Sequence, residues 1–130
     1  MACGGQRILL VDDDPLLLKM MSLYLGRVGF AVTVSSRTEE AWKAFEASPG
    51  DFAVAVLDGS MPGLRMEELA TRMLHTNPRL CVIAASGYPL DMTAVESVAQ
   101  GRAIFLQKPF STAMLTAAVR RMIAAQEKEL

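Results

Sequence analysis

The chain has 130 residues, about half of them apolar, which provides one domain with its own core and no room for a second. Thirteen basic against fourteen acidic residues leave a formal net charge of -1, and beyond Arg120-Arg121 no block of Lys or Arg exists, which excludes the basic footprint of a nucleic-acid binder. The longest apolar stretches run to about six residues against the roughly 20 of a membrane span, and Met-Ala-Cys-Gly-Gly-Gln lacks the charged and apolar parts of a signal peptide, so a cytoplasmic location is expected.

Apolar runs of strand length alternate with segments of helical period five times. The first run, 8–11, ends in Asp12-Asp13-Asp14. Helix 15–28 follows, with Pro15 in its first turn, Leu17, Met21, Tyr24, Leu25 and Val28 on one stripe, and Gly29 as its stop. Leu16, Met20 and Leu23 form a second apolar row on the same helix, which is the pattern of a helix that either sits deeper than usual or presents a docking surface. Run 31–34 precedes a helix over 38–47 that opens on Thr38, Glu39 and Glu40, an acidic first turn suited to the helix dipole.

Run 52–57 ends in Asp58, and a third helix spans 64–75, closing before Asn77-Pro78. Run 80–85 ends in Ser86, and the most polar helix, 90–100, ends at Gly101. Run 103–106 leads to Lys108, after which Ser111 caps the last helix. Runs apolar at every position suit strands buried on both faces, as in parallel sheets. Five such units with right-handed crossovers give an α/β, (βα)5 doubly wound parallel five-stranded sheet of flavodoxin-like type, for which the order 2-1-3-4-5 is a common solution.

That order sets strands 1 and 3 side by side and brings Asp12, Asp13, Asp58, Ser86 and Lys108 to one sheet edge, where open α/β sheets bind ligands. Clustered carboxylates repel one another, and a hard divalent cation with oxygen ligands is the natural compensator; Mg2+ or Mn2+ is expected. One carboxylate is then free to attack a phosphoryl donor, with the metal, the Ser86 hydroxyl and the Lys108 ammonium each taking one phosphoryl oxygen. The lone histidine, His75, reads as solvated or capping. Two cysteines, Cys3 and Cys81, are too few for a disulfide framework or, with His75, for zinc; Cys81 reads as a small core residue.

Ile-Leu-Leu-Val-Asp-Asp-Asp-Pro (8–15), Val-Leu-Asp-Gly-Ser-Met-Pro-Gly (56–63), Ala-Ala-Ser-Gly-Tyr (84–88) and Phe-Leu-Gln-Lys-Pro-Phe (105–110) resemble the four motifs of the receiver domain of two-component response regulators. The resemblance implies one receiver domain over 1–130, with its core at about 7–125. It makes Asp58 the phosphoacceptor, Asp13 the principal metal carboxylate, Asp12 its acidic partner, and the Ser60 carbonyl a further metal ligand. Ser86 becomes the switch hydroxyl, Lys108 the family lysine, Pro109 the residue after a cis bond, and Phe105 the ring that turns inward on activation. The row Leu16, Met20, Leu23 becomes the docking face for a histidine kinase or histidine phosphotransfer protein.

Met66 stands where the family commonly has Gly, which is expected to change the turn of the third loop; Gly59 is expected to loosen that loop, and Tyr88 to influence the dephosphorylation rate. No catalysis beyond magnesium-dependent self-phosphorylation and autodephosphorylation is expected. Only about seven residues follow Ile123, so the chain reads either as a single-domain response regulator or as a receiver cut from a larger protein, with motifs similar to those of hybrid histidine kinases. Three rivals stand beside this reading. A phosphorylation-independent pseudo-receiver would lose the acceptor or the lysine, a flavin binder needs a Ser/Thr/Gly-rich first loop, and an aspartate-nucleophile phosphatase needs Asp where Ser60 stands.

Overall fold

All five apolar runs form strands of a single parallel sheet: β1 (Arg7–Val11), β2 (Ala31–Ser35), β3 (Phe52–Asp58), β4 (Cys81–Ser86) and β5 (Ala103–Gln107). The computed structural model describes residues 5–128, and Cys3 lies outside them. The strand order is β2-β1-β3-β4-β5, the expected order and one that right-handed crossovers permit. Each strand is followed by a helix: α1 (Pro15–Arg27), α2 (Thr38–Ala47), α3 (Met66–Thr76), α4 (Thr93–Ala99) and α5 (Thr112–Lys128). None of these helices is long and apolar enough to cross a membrane.

Strand alternation divides the core in two. Leu9, Val11, Ala55 and Leu57 point toward α2, α3 and α4, where they meet Phe45, Leu69, Met73 and Val95. Ile8, Leu10, Val54 and Val56 point the other way, onto Leu18, Met21 and Leu25 of α1 and Leu115, Val119 and Met122 of α5. All seven residues of β3, the central strand, are buried. Cys81 is fully buried in the second cluster, with its thiol 3.2 Å from the Met122 carbonyl oxygen. On the first face Trp42, Phe45 and Phe52 stack with centroids 6.0 and 5.8 Å apart, and the Arg72 guanidinium lies 5.3 Å from the centre of the Trp42 ring.

Helix α1 ends as the Gly29 signal predicts. Gly29 takes φ +107, its N–H bonds to the Gly26 carbonyl, and the Phe30 N–H reaches back to Leu25, with both of those apolar side chains buried. Asp14 caps the other end by accepting from the amides of Leu16 and Leu17. Ser111 caps α5 through the Met114 amide.

Three local expectations are corrected. The apolar strand β2 is not buried on both faces, because the strand order leaves it at an edge with Ala31 and Val34 exposed. The buried stripe of α1 is Leu18, Met21 and Leu25, turned by one position from the expected row, so Leu17, Tyr24 and Val28 are half-buried. Helix α2 runs from Thr38 to Ala47 as expected, although Arg37 before it makes no side-chain cap bond, and the Thr38 hydroxyl accepts from the Leu64 amide and donates to Glu39. The third and fourth helices begin later than expected, at Met66 and Thr93. Gly63, at φ +95, and the Thr38 bond hold Leu64 outside the third helix, while Asp91 accepts both the amide and the hydroxyl of Thr93 and delays the fourth.

Candidate functional site

The sheet's carboxyl edge gathers the polar residues because each strand ends in one. Asp58 closes β3 and Ser86 closes β4, while Asp12 and Lys108 lie one residue past β1 and β5. Backbone bonds carry the ladder beyond the strands: Asp12 N–H to Ser35, Gly59 N–H to Ala85 and Lys108 N–H to Ser86. Asp12, Asp58 and Ser86 are therefore held as rigidly as the sheet and are 3%, 5% and 0% exposed.

One carboxylate oxygen from each of Asp12, Asp13 and Asp58 lies within 4.8 Å of the others, with Asp13 on the solvent side. Lys108 Nζ is 2.8 Å from Asp12 Oδ2 and 3.6 Å from Asp58 Oδ1. One ammonium thus pairs with two of the three clustered carboxylates, and the oxygen-only donor set fits a hard divalent cation. Asp12 Oδ1 accepts the Asp14 amide at 2.9 Å, and Asp58 Oδ1 accepts both the amide and the hydroxyl of Ser60, at 3.1 and 3.0 Å.

Burial raises the Asp12 carboxyl above its ordinary range, helped by the Asp58 charge and outweighing the bonds from Lys108 and the Asp14 amide. For Lys108, burial alone would lower the ammonium's pKa, but the hydrogen bond and charge of Asp12, with Asp58 behind it, leave it raised. The site therefore holds its cation firmly while one of its carboxylates resists ionising.

The structure joins Asp12, Asp13, Asp58, Ser60 and Lys108 in one cluster. Ser86 stands on the neighbouring strand with its hydroxyl turned back to its own loop, where it accepts the Tyr88 amide at 3.2 Å. Phe105 is half-buried on the edge strand, paired in register with Ala84, and belongs to neither core cluster. The Lys108–Pro109 peptide bond is cis. Leu16, Met20 and Leu23 lie on the outer face of α1, 66%, 51% and 55% exposed.

Sequence reading missed three features here. The Ser60 hydroxyl bonds directly to Asp58, which a Ser two residues after an Asp could have signalled as a local side-chain turn. The Thr38 hydroxyl anchors the loop after Asp58 from 26 residues away, with no local signal. Leu90 packs on Gly59 beside the acceptor strand, a contact that likewise spans the whole of α3 and β4.

The model of the family described as the response regulator receiver domain matches residues 8–120. The transcriptional regulatory protein FixJ of Bradyrhizobium diazoefficiens is 32% identical over 127 residues, covering 94% of this chain and 60% of that protein. The C4-dicarboxylate transport transcriptional regulatory protein DctD of Rhizobium meliloti is 33% identical over 122 residues, covering 93% of this chain and 25% of that one. The chain thus spans less than two thirds of either relative. Among solved structures, the response regulator receiver domain protein (CheY-like) from Methanospirillum hungatei JF-1 superimposes with a TM-score of 0.82 at 25% identity, covering 98% of this chain and 100% of that one. With the sheet order, the acidic cluster and the matched residues in agreement, the chain belongs to the response regulator receiver domain family of two-component systems.

Proposed function

We propose that this receiver takes a phosphoryl group from a phosphohistidine onto Asp58 and changes its binding partner as a result. The observation that carries the reading is the environment of Asp58, buried at the end of the central strand, within 4.8 Å of the Asp12 and Asp13 carboxylates and 3.6 Å from an ammonium. An Asp58 oxygen forms the new O–P bond as the donor's P–N bond breaks, and the electron pair leaves with the imidazole nitrogen, which takes up a proton.

Asp12, Asp13, Asp58 and the Ser60 carbonyl would hold Mg2+ or Mn2+, which supplies positive charge for the phosphoryl oxygens when bound. Lys108 pairs with a second oxygen after loosening from Asp12. Ser86 pairs with a third once its hydroxyl leaves the Tyr88 amide, and Phe105, free of both core clusters, can follow that movement. The exposed row Leu16, Met20, Leu23 meets the donor, a histidine kinase or histidine phosphotransfer protein. The domain turns over no other substrate, acting only in its own phosphorylation and dephosphorylation, and a cytoplasmic location goes with this reading. A phosphorylation-independent module is not favoured, since both the acceptor and the lysine are in place.

Intact mass after incubation with a small acyl phosphate tests the proposal. Magnesium-dependent gain of one phosphoryl mass, absent in Asp58→Asn, is the expected result. No adduct at short times and low temperature would overturn it.

A further inference from the structure

Gly59 directly follows the acceptor, and its backbone does not require a glycine, because its φ is not among the positive ones. What favours one there is Leu90. A Cβ at position 59 would stand 2.5 Å from Leu90 Cδ1, 3.0 Å from Cδ2 and 3.3 Å from Cγ. The Leu90 side chain therefore rests on the bare Cα of the residue beside Asp58, while the Gly59 amide bonds to Ala85 of β4 at 2.8 Å.

The stretch from Ser86 to Leu90 is consequently fastened at both ends. At one end Ser86 belongs to β4 and is fully buried; at the other, half-buried Leu90 sits on the acceptor loop and on the first core cluster. Between them Gly87 has open space around it and Tyr88 is 60% exposed. The Ser86 hydroxyl points into this stretch, on the Tyr88 amide. Any reorientation toward Asp58 takes place in a segment whose far end is seated on Asp58's own neighbour.

We propose that Leu90 is a positioning residue for the acceptor site: its seat on Gly59 fixes the distance across which the Ser86 hydroxyl reaches a phosphoryl group on Asp58. This rests on Asp58 being the acceptor. Leu90 touches none of the reacting atoms and acts through the loop that Ser86 begins. The contact is made by the flexible end of a side chain, so Gly59→Ala displaces Leu90 without unfolding the domain.

The experiment compares the native chain with Gly59→Ala, Leu90→Ala and the double variant, using acetyl phosphate with Mg2+ as donor. Uptake is followed by intact mass, and thermal midpoints are taken alongside. Gly59→Ala is expected to slow uptake on the order of tenfold with little change in midpoint, since misplacement by about 1 Å is costly to an oriented transfer. In the Leu90→Ala background the same substitution is expected to cost nothing further, because the atoms it would strike are gone.

Backbone amide resonances of Gly87, Tyr88 and residues 90–92 read the same seat without phosphoryl chemistry. Gly59→Ala should shift them in the native background and leave them unmoved in Leu90→Ala. Equal effects of Gly59→Ala in both backgrounds, or unchanged uptake with unchanged resonances, would overturn the role of Leu90. A native chain that takes up no phosphoryl group overturns the acceptor reading instead, and with it the reach assigned to Ser86, whatever the resonances report about the seat.

Discussion

The Lys108 ammonium stands 2.8 Å from Asp12 Oδ2 and 3.6 Å from Asp58 Oδ1, so one cation from the end of β5 spans two buried carboxylates from the ends of β1 and β3. These strands are not neighbours of β5 in the sheet, and the bridge is a side-chain tie along the carboxyl edge from β5 to β1.

Lys108→Met leaves the two carboxylates facing each other without their cation. In chelator the domain should lose about 1–3 kcal/mol, the usual cost of stranding a buried polar partner. Divalent-cation binding should tighten at the same time, because a competing positive charge has gone, while phosphoryl uptake falls. Chemical denaturation with and without Mg2+ and a magnesium titration check the three signs together.

The raised carboxyl of Asp12 fixes a direction of pH dependence. Between its ordinary value of 3.8 and its raised folded value the native state holds the proton more tightly than the unfolded chain, so this group's contribution to stability falls as pH rises through that window. Asp12→Asn, which keeps an oxygen for the Asp14 amide, should remove that fall from the metal-free domain's pH profile. At the alkaline end the sign is set by Lys108, whose pairing stabilises the fold below its ordinary 10.5 and is lost as pH rises through its raised folded value. Denaturation midpoints across pH, in chelator, give both slopes.

Gly63 and Thr38 should be costly to change for one shared reason. At φ +95 a Cβ on Gly63 would be strained, and it would stand 2.7 Å from the Thr38 hydroxyl that holds the Leu64 amide. Gly63→Ala is expected to destabilise by about 1–3 kcal/mol, and Thr38→Val by about 1 kcal/mol through the orphaned amide. Faster hydrogen exchange at Leu64 in both variants would confirm the shared cause; unchanged exchange would refute it.

Charge placed on the outer row of α1 should separate docking from chemistry. Met20→Lys and Leu23→Lys are expected to alter stability by no more than about 0.5 kcal/mol, as exposed positions do. Uptake from acetyl phosphate should be unchanged, while transfer from a phosphohistidine protein slows. Equal loss with both donors would count against a docking role.

Much of this fold is written in short apolar runs, and for a physical reason. A parallel sheet buried on both faces makes each central strand apolar throughout, so β1, β3 and β4 stand out, and the crossover rule then orders them. The site follows, since Asp12, Asp58, Ser86 and Lys108 each terminate a run. The rest depends on tertiary contacts. Edge strand β2 carries the same apolar signature as a buried one, although Val34 is exposed. The start of α3 is set by Thr38, 26 residues away, and the fit of glycine at 59 is set by Leu90. No local pattern encodes either, because each is a packing event between distant loops.

The stack of Trp42 on Phe45 has an optical consequence. Trp42 is the chain's single tryptophan, and its ring is held by Phe45 on one side and approached by the Arg72 guanidinium, with none of the acidic residues of the sheet edge in that contact. Its fluorescence should report the union of α2 and α3 with the sheet, changing sharply when the domain unfolds and little when a cation binds. The native chain thus carries an internal dye for stability measurements, whereas filling of the Asp58 cluster has to be followed by another signal.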